Sequence, residues 1–302
     1  MSSAGRPKRL LLTGASGFLG WHLCRQAAVK WSVVGVARYH PVAAEGVTPI
    51  VGDLADAGFF SALFNTIQPE AVIHAAAESS AAFCEIHGNA SRRINVIASE
   101  NLARQCNRRK LPFVFTSTDL VFDGTRPPYD EKDPTTPISA YGRQKAEAEE
   151  RILACYPEAL ICRLPLLIGD SGAPGGSFSM RILEALAAGN PVNLFTDEYR
   201  TPVDGESAAA GILALLGKAS GILHLGGRDR ISRYHMGLRL AAIMGRRNDK
   251  LRPVAINDLP AAAPRSPDVS LNSQRAYGVG YDPRGLDLAL QQMVAGFGKD
   301  PA

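Results

Sequence analysis

Leu10-Leu11-Leu12-Thr13-Gly14-Ala15-Ser16-Gly17-Phe18-Leu19-Gly20 reads as an apolar strand, a glycine turn and the start of a helix. The glycines recur as G-x-x-G-x-x-G. In that pattern Gly14 permits the tight turn, Gly17 lets the backbone approach a pyrophosphate, and Gly20 lets the helix pack closely on the strand. Free N–H groups at a helix N-terminus attract an anion, so Ser16, Phe18 and Leu19 join the same phosphate cradle. A glycine pattern alone is a weak signal, because plain turns share it. Here the strand before and the helix after supply the required context.

Working outward from this turn, short apolar runs alternate with longer helical patterns from Arg9 to about Arg163. The runs are Leu10–Leu12, Val33–Val36, Pro49–Val51, Ala71–Ile73, Phe113–Phe115 and Ala159–Ile161. Near-continuous apolarity is the pattern of strands buried on both faces. Helical stretches over Phe18–Ala28, Phe59–Ile67 and Asn89–Asn107 lie between them. This repetition predicts an α/β fold, a Rossmann-type doubly wound parallel sheet with right-handed crossovers. After Arg163 the pattern changes. Gly169–Gly176 is rich in Gly and Pro, as loops are. Helices are expected near Phe178–Ala188, Gly205–Leu216 and Arg233–Met244, a strand near Ile222–Leu225, and irregular chain over Leu259–Pro267. We read residues 1–165 as the dinucleotide-binding domain and 166–302 as a smaller, interleaved α/β substrate-binding part.

Composition agrees with a packed globular protein. Hydrophobic residues make up 46% of the 302 and charged residues 21%. A formal charge of +4 suits an anionic ligand, but the basic clusters are too short for a nucleic-acid face. Arg108-Arg109-Lys110 falls where a helix should end, where cations complement the helix dipole. Cys24, Cys84, Cys106, Cys155 and Cys162 are odd in number and scattered, which predicts reduced thiols and a cytoplasmic location. No stretch reads as a signal peptide or membrane span, so no membrane partner is expected. His40, His74, His87, His224 and His235 show no metal-ligand spacing, and no metal is expected.

Two positions bear on the cofactor. The second strand ends in Val36-Ala37-Arg38-Tyr39, with an arginine where an acid would bind the ribose hydroxyls. Arg38 therefore favours the 2′-phosphate of NADP, with NAD the other candidate; a solvated surface arginine is the plainer reading. Asp53, in Gly52-Asp53-Leu54, is placed to reach the adenine edge.

Tyr141-Gly142-Arg143-Gln144-Lys145 opens a helix capped near Ser139. The spacing puts Tyr141 and Lys145 on one face, about a turn apart. A phenol is a poor acid at neutral pH, and a nearby ammonium stabilises its phenolate. Upstream, Phe113–Phe115 runs into Thr116-Ser117-Thr118-Asp119, the strand end where such sheets place ligand-contacting residues. A Tyr-x-x-x-Lys pair is common by chance. Its conjunction with the phosphate loop and the hydroxyl-bearing strand end is not.

These motifs resemble the extended short-chain dehydrogenase/reductases, and within them the dTDP-4-dehydrorhamnose reductase family. Thr13–Gly20, Gly52–Leu54, His74-Ala75-Ala76-Ala77, Asn95, Ser117–Gly124 and Tyr141–Lys145 occur in that family's order. The resemblance implies Thr118 as the carbonyl-orienting hydroxyl, Tyr141 as the acid, Lys145 as its activator and Asn95 as support of the proton relay. It implies Leu54, Ala75, Ala76, Ala77 and Pro165 along the cofactor, and Arg200 and Arg265 at the sugar-nucleotide pocket. It implies NADP as cofactor and hydride transfer to a keto group of a nucleotide-linked sugar. Leu166 stands where the reductases commonly carry a stacking tryptophan, and His22 where some carry a metal-linking glutamate. Phe122–Tyr129 and Arg163-Leu164-Pro165 are also similar to the regulatory beta subunit of methionine adenosyltransferase. Three readings stand: a reductase, a nucleotide-sugar epimerase, or a cofactor-loaded regulatory subunit with a protein partner. A homodimer is compatible with each.

Overall fold

The computed structural model describes residues 6–42, 44–170 and 177–298. The chain opens with β1 (Arg9–Thr13), α1 (Phe18–Ala27), β2 (Ser32–Ala37), β3 (Val47–Val51), α2 (Ala57–Ile67) and β4 (Ala71–His74). It continues through α3 (Ala81–Ile86), α4 (Gly88–Arg92), a π-helical turn (Arg93–Ala98), α5 (Ser99–Arg109), β5 (Phe113–Thr118), α6 (Ala140–Cys155) and β6 (Leu160–Leu164). The second half holds β7 (Leu167–Ile168), α7 (Phe178–Ala188), β8 (Val192–Phe195), β9 (Tyr199–Arg200), β10 (Val203–Asp204), α8 (Gly205–Leu215) and β11 (Gly221–His224). It closes with β12 (Ile231–Ser232), α9 (Arg233–Ile243), β13 (Leu251–Val254), α10 (Gln274–Gly278) and α11 (Leu286–Gly296).

The main sheet has seven strands in the order β11-β6-β5-β4-β1-β2-β3, every neighbouring pair parallel. Strand order reverses between β1 and β4, which opens a crevice beyond their C-terminal ends, the usual ligand position in such sheets. Side chains alternate across the sheet, so Leu10 and Leu12 enter one core with α1 and α8 while Leu11 enters the other with α2, α5 and α6. A third core lies among α7, α9 and α11 and the short strands of the second half.

Three expectations meet a different outcome or sharper bounds. Pro49–Val51 is not buried on both faces. It belongs to the edge strand β3, where Val51 is 52% exposed and a proline without an N–H is tolerated. The helix expected over Asn89–Asn107 is interrupted by the π turn at Arg93–Ala98. A π bulge inserts one residue per turn and is invisible to a 3.6-residue period. The strand near Ile222 returns to the main sheet beside β6, and α8 packs on α1, so downstream chain completes the first layer. Most of the Gly/Pro-rich stretch after Gly169 lies outside the described residues. The basic cluster behaves as expected: α5 ends at Arg109 with Lys110 in a left-handed cap. All five cysteines are free thiols. No helix among the described residues is long and apolar enough to cross a membrane.

Candidate active site

A cleft of about 460 Å³ lies over the β1/β4 crevice. Its floor is the glycine turn. Gly14 has φ +74°, and a Cβ there would sit 2.6 Å from the backbone nitrogen of Ala76. A Cβ on Gly20 would stand 1.9 Å from the Gly14 carbonyl oxygen. The two loops and the helix therefore touch backbone to backbone, and α1 begins at Phe18 behind Gly17, with no side-chain cap on its free N–H groups. Ser16, Phe18 and Leu19 line the cleft beside these glycines, with Ala75, Ala76 and Ala77 opposite.

At the far end stand Arg38, Asp53 and Leu54. Arg38 Nη2 lies 3.5 Å from Asp53 Oδ2, and its guanidinium lies 4.9 Å from the centre of the Tyr39 ring. Both charged side chains are nearly half exposed, so this pair is weak and its arginine is available to another anion.

The near end holds Thr118, Tyr141, Lys145 and Pro165. Ser139 caps α6 by accepting from the Gly142 N–H at 3.1 Å, which fixes the turn that carries Tyr141. Burial, reinforced by Cys84, Asp119 and Glu78, pushes the Tyr141 phenol above its ordinary value. Lys145 Nζ donates to the Thr116 carbonyl at 2.6 Å, and burial pushes its pKa down to about 7. Thr118 Oγ1 accepts from the Leu120 N–H at 3.2 Å and donates to Asp119 Oδ1 at 3.1 Å. Burial pushes Asp119 up to about 6 against the pull of Arg200.

Beneath this wall run three buried polar networks. In the first, Ser99 Oγ donates to the Asn95 carbonyl at 2.8 Å, so it accepts from His74 Nε2 at 2.9 Å. His74 Nδ1 is then an acceptor for the Thr13 hydroxyl at 2.6 Å. This single tautomer ties the end of β1 to the π turn, and burial pushes His74 down to about 3. In the second, Asn95 Oδ1 accepts from the Glu78 N–H at 2.8 Å, while its Nδ2 donates to the Glu78 carbonyl at 3.0 Å and to Gln144 Oε1 at 2.8 Å. In the third, Glu149 takes bonds from Arg163 at 2.7 Å and from the Ser117 hydroxyl, and Arg163 reaches His224 at 3.3 Å.

Asn95 is fully buried behind the cleft wall rather than in it, with its amide occupied by Glu78 and Gln144. Arg200 and Arg265 are also outside the cleft wall. Arg200 is 5% exposed and pairs with Glu198 at 3.1 Å and Asp119 at 3.4 Å. Arg265 and Arg233 approach the same Glu198 carboxylate at 3.7 and 2.9 Å, so three arginines gather round two carboxylates. Leu166 turns to the third core, while Leu167 lines the cleft. Sequence reasoning missed Glu78, Ser79 and Ile94, which also line it. The signal available was position: Glu78 follows His-Ala-Ala-Ala at the C-terminal end of β4.

The family model of the RmlD substrate binding domain matches residues 8–298. The "probable low-salt glycan biosynthesis reductase" of Haloferax volcanii is 32% identical over 261 residues, covering 84% of this chain and 87% of that one. The dTDP-4-dehydrorhamnose reductase of Mycobacterium tuberculosis is 30% identical over 280 residues, covering 90% and 87%. The methionine adenosyltransferase 2 subunit beta of Xenopus tropicalis is 29% identical over 286 residues, covering 90% and 83%. The dTDP-4-dehydrorhamnose reductase of Bacillus anthracis, solved in complex with NADP, superposes with a TM-score of 0.84 at 20% identity, covering 96% and 99%.

Proposed function

The chain belongs to the RmlD substrate binding domain family, and on that premise we propose that it is an NADP-preferring reductase of a keto group on a nucleotide-linked sugar. The observation that carries this reading is the meeting of Thr118, Tyr141 and Lys145 in one wall of a cleft floored by the glycine turn. The cleft fits a dinucleotide: backbone packing leaves no room for a Cβ at Gly14 or Gly20, and α1 offers uncapped N–H groups. When bound, the cofactor supplies the hydride. A structural neighbour solved with NADP supports that choice of carrier, and neighbours solved with NAD keep NAD as the other candidate. Five free thiols support a cytoplasmic setting.

The chain's own residues handle the proton. Tyr141 is held neutral by burial, which is the state a general acid needs for reduction. Thr118 needs only to turn its hydroxyl from Asp119 to donate to a carbonyl oxygen. Lys145, anchored on Thr116 in the same cleft, is the cation we assign to the developing phenolate. Burial, not Lys145, sets the resting Tyr141 phenol, and burial holds the lysine's own pKa at about 7.

The test is oxidation of NADPH and NADH with a panel of 4-keto nucleotide sugars, wild type against Tyr141→Phe. Turnover that favours NADPH and collapses in the variant is expected. The likeness to a methionine adenosyltransferase beta subunit favours a second reading, a cofactor-loaded partner protein. Tight NADPH binding with no oxidation by any substrate would establish that one instead.

A further inference from the structure

Glu78 is the one carboxylate lining the cleft beside the Tyr141 wall that no sequence motif explains. Its geometry is fixed from behind. Asn95 takes the Glu78 N–H at 2.8 Å and returns a bond to the Glu78 carbonyl at 3.0 Å. The same amide donates to Gln144 at 2.8 Å, and Gln144 lies between Tyr141 and Lys145 in α6. The backbone that carries Glu78 is therefore tied to the helix that carries the acid. Forward of that clamp, Glu78 Oε1 accepts from the Ser80 N–H at 3.1 Å. Among the described residues no cation comes within ion-pair distance of it. Glu78 lines the cleft, and a carboxylate without a counter-ion has open acceptor capacity.

We propose that Glu78 is a specificity-determining residue that binds hydroxyl groups of the sugar next to the reacting keto carbon. The proposal rests on the nucleotide-sugar reading above. A lone carboxylate repels phosphate and carboxylate groups, so the anionic end of the substrate has to lie elsewhere. Its best neutral partners are O–H donors, and bonds to an ionised acceptor are about twice as strong as neutral ones. A deoxy sugar at that position would cover the carboxylate without pairing it, and such a buried mismatch is strongly rejected. Glu78 and Tyr141 line the same cleft, and Glu78 is the smallest of the charges that raise the Tyr141 phenol, after Cys84 and Asp119.

The experiment uses the NADP-loaded protein and calorimetric titration. The probes are dTDP, UDP and GDP, each alone and as its hexose conjugate. Wild type is expected to bind at least one conjugate about tenfold tighter than the bare nucleotide. Glu78→Ala removes that gain while bare-nucleotide and NADPH affinities stay as they were. Glu78→Gln keeps part of it, because the amide oxygen still accepts; it also gives the answer if the alanine variant does not fold. A conjugate bound equally well by wild type and Glu78→Ala overturns the proposal, as does a wild type that shows no sugar-dependent gain with any probe. A gain lost in the variant, but with no NADPH oxidation by any keto sugar, sinks the reductase reading and leaves the role of Glu78 standing.

Discussion

Lys145 Nζ donates to the backbone carbonyl of Thr116 at 2.6 Å and stands 3.8 Å above the ring of Phe115. Strand β5 thus fixes the ammonium from below, in a pocket where the lysine is 2% exposed. Burial pushes its pKa down to about 7, with Glu149 one turn later acting in the opposite sense. The unfolded lysine titrates near 10.4, so between about pH 7 and 10 the unfolded chain binds more protons than the folded one. Stability contributed by this group therefore rises with pH across that window, and its full penalty is present below pH 7. Lys145→Met keeps the apolar stem and removes the charge. It is expected to raise Tm by about 4 °C or more at pH 6.5, with a smaller gain at pH 9.5. It should also lower kcat by about 100-fold or more. Melting curves at both pH values check the first claim; an equal or absent gain would contradict the buried ammonium.

The Arg38–Asp53 pair sets up a second expectation. At 3.5 Å and nearly half exposed on each side, it is worth little, and a 2′-phosphate would displace the carboxylate easily. Arg38→Ala should lower kcat/KM for NADPH by about 10-fold or more, the loss of a charged bond, and leave NADH almost unchanged. An unaltered NADPH/NADH ratio would make Arg38 an ordinary surface residue.

Acid should unfold this protein from below pH 6.5. His74 and His224 are each pushed down to about 3, chiefly by burial, with Lys145 beside the one and Arg163 beside the other. Their folded pKa values are depressed. Their contribution is complete above pH 6.5 and is lost as pH falls toward 3, at about 1.4 kcal/mol per pH unit each. Asp119 acts the other way. Burial raises it to about 6, so between pH 6 and 4 the folded state takes up a proton ahead of the unfolded one and offsets one histidine. Urea midpoints at pH 7, 6 and 5 should therefore fall, and Asp119→Asn should make the fall steeper. A flat profile in wild type would show that neither ring is buried neutral.

Much of this was legible in the sequence because close packing and phosphate binding restrict residue type. The glycine turn could be read because Gly14 and Gly20 admit no Cβ, and the strands because those of the sheet interior are apolar on both faces. The edge strand misled because its Val and Ile content mimics a buried one while its faces are open. The π turn escaped because its period is unlike that of the helices on either side. Family resemblance places Arg200 at the sugar-nucleotide pocket; its pairing with Asp119 and Glu198 is brought about by tertiary packing and has no mark in one dimension. Glu78 escaped for the same reason in reverse, since nothing local marks a carboxylate as lacking a counter-ion.

The amide of Gln144 offers the sharpest test of how the catalytic helix is seated. It accepts from Asn95 at 2.8 Å and donates to Ser91 Oγ at 2.8 Å and to the Gly88 carbonyl at 3.2 Å. It therefore joins α6 to α4 and to the π turn, from a position between Tyr141 and Lys145. Gln144→Leu fills the space but removes one of the bonds made by Asn95 Nδ2 and the bond accepted by Ser91 Oγ, at up to about 1–3 kcal/mol for each buried group left short. If the residue only stabilised the fold, Tm would drop while kcat, measured well below Tm, stayed the same. As a positioning residue it should lower kcat by about 10-fold with KM for NADPH little changed, since small misplacements of reacting groups are costly. The inflections of the kcat–pH profile should stay where they are, because Tyr141 and Lys145 remain in place chemically. Gln144→Glu still accepts from Asn95, and it accepts a hydrogen bond from Ser91 once that hydroxyl turns from the His87 carbonyl, so it should recover most of the lost kcat. A glutamate variant as slow as the leucine one would remove the Asn95–Gln144 bond from the account of catalysis and leave it a matter of stability alone.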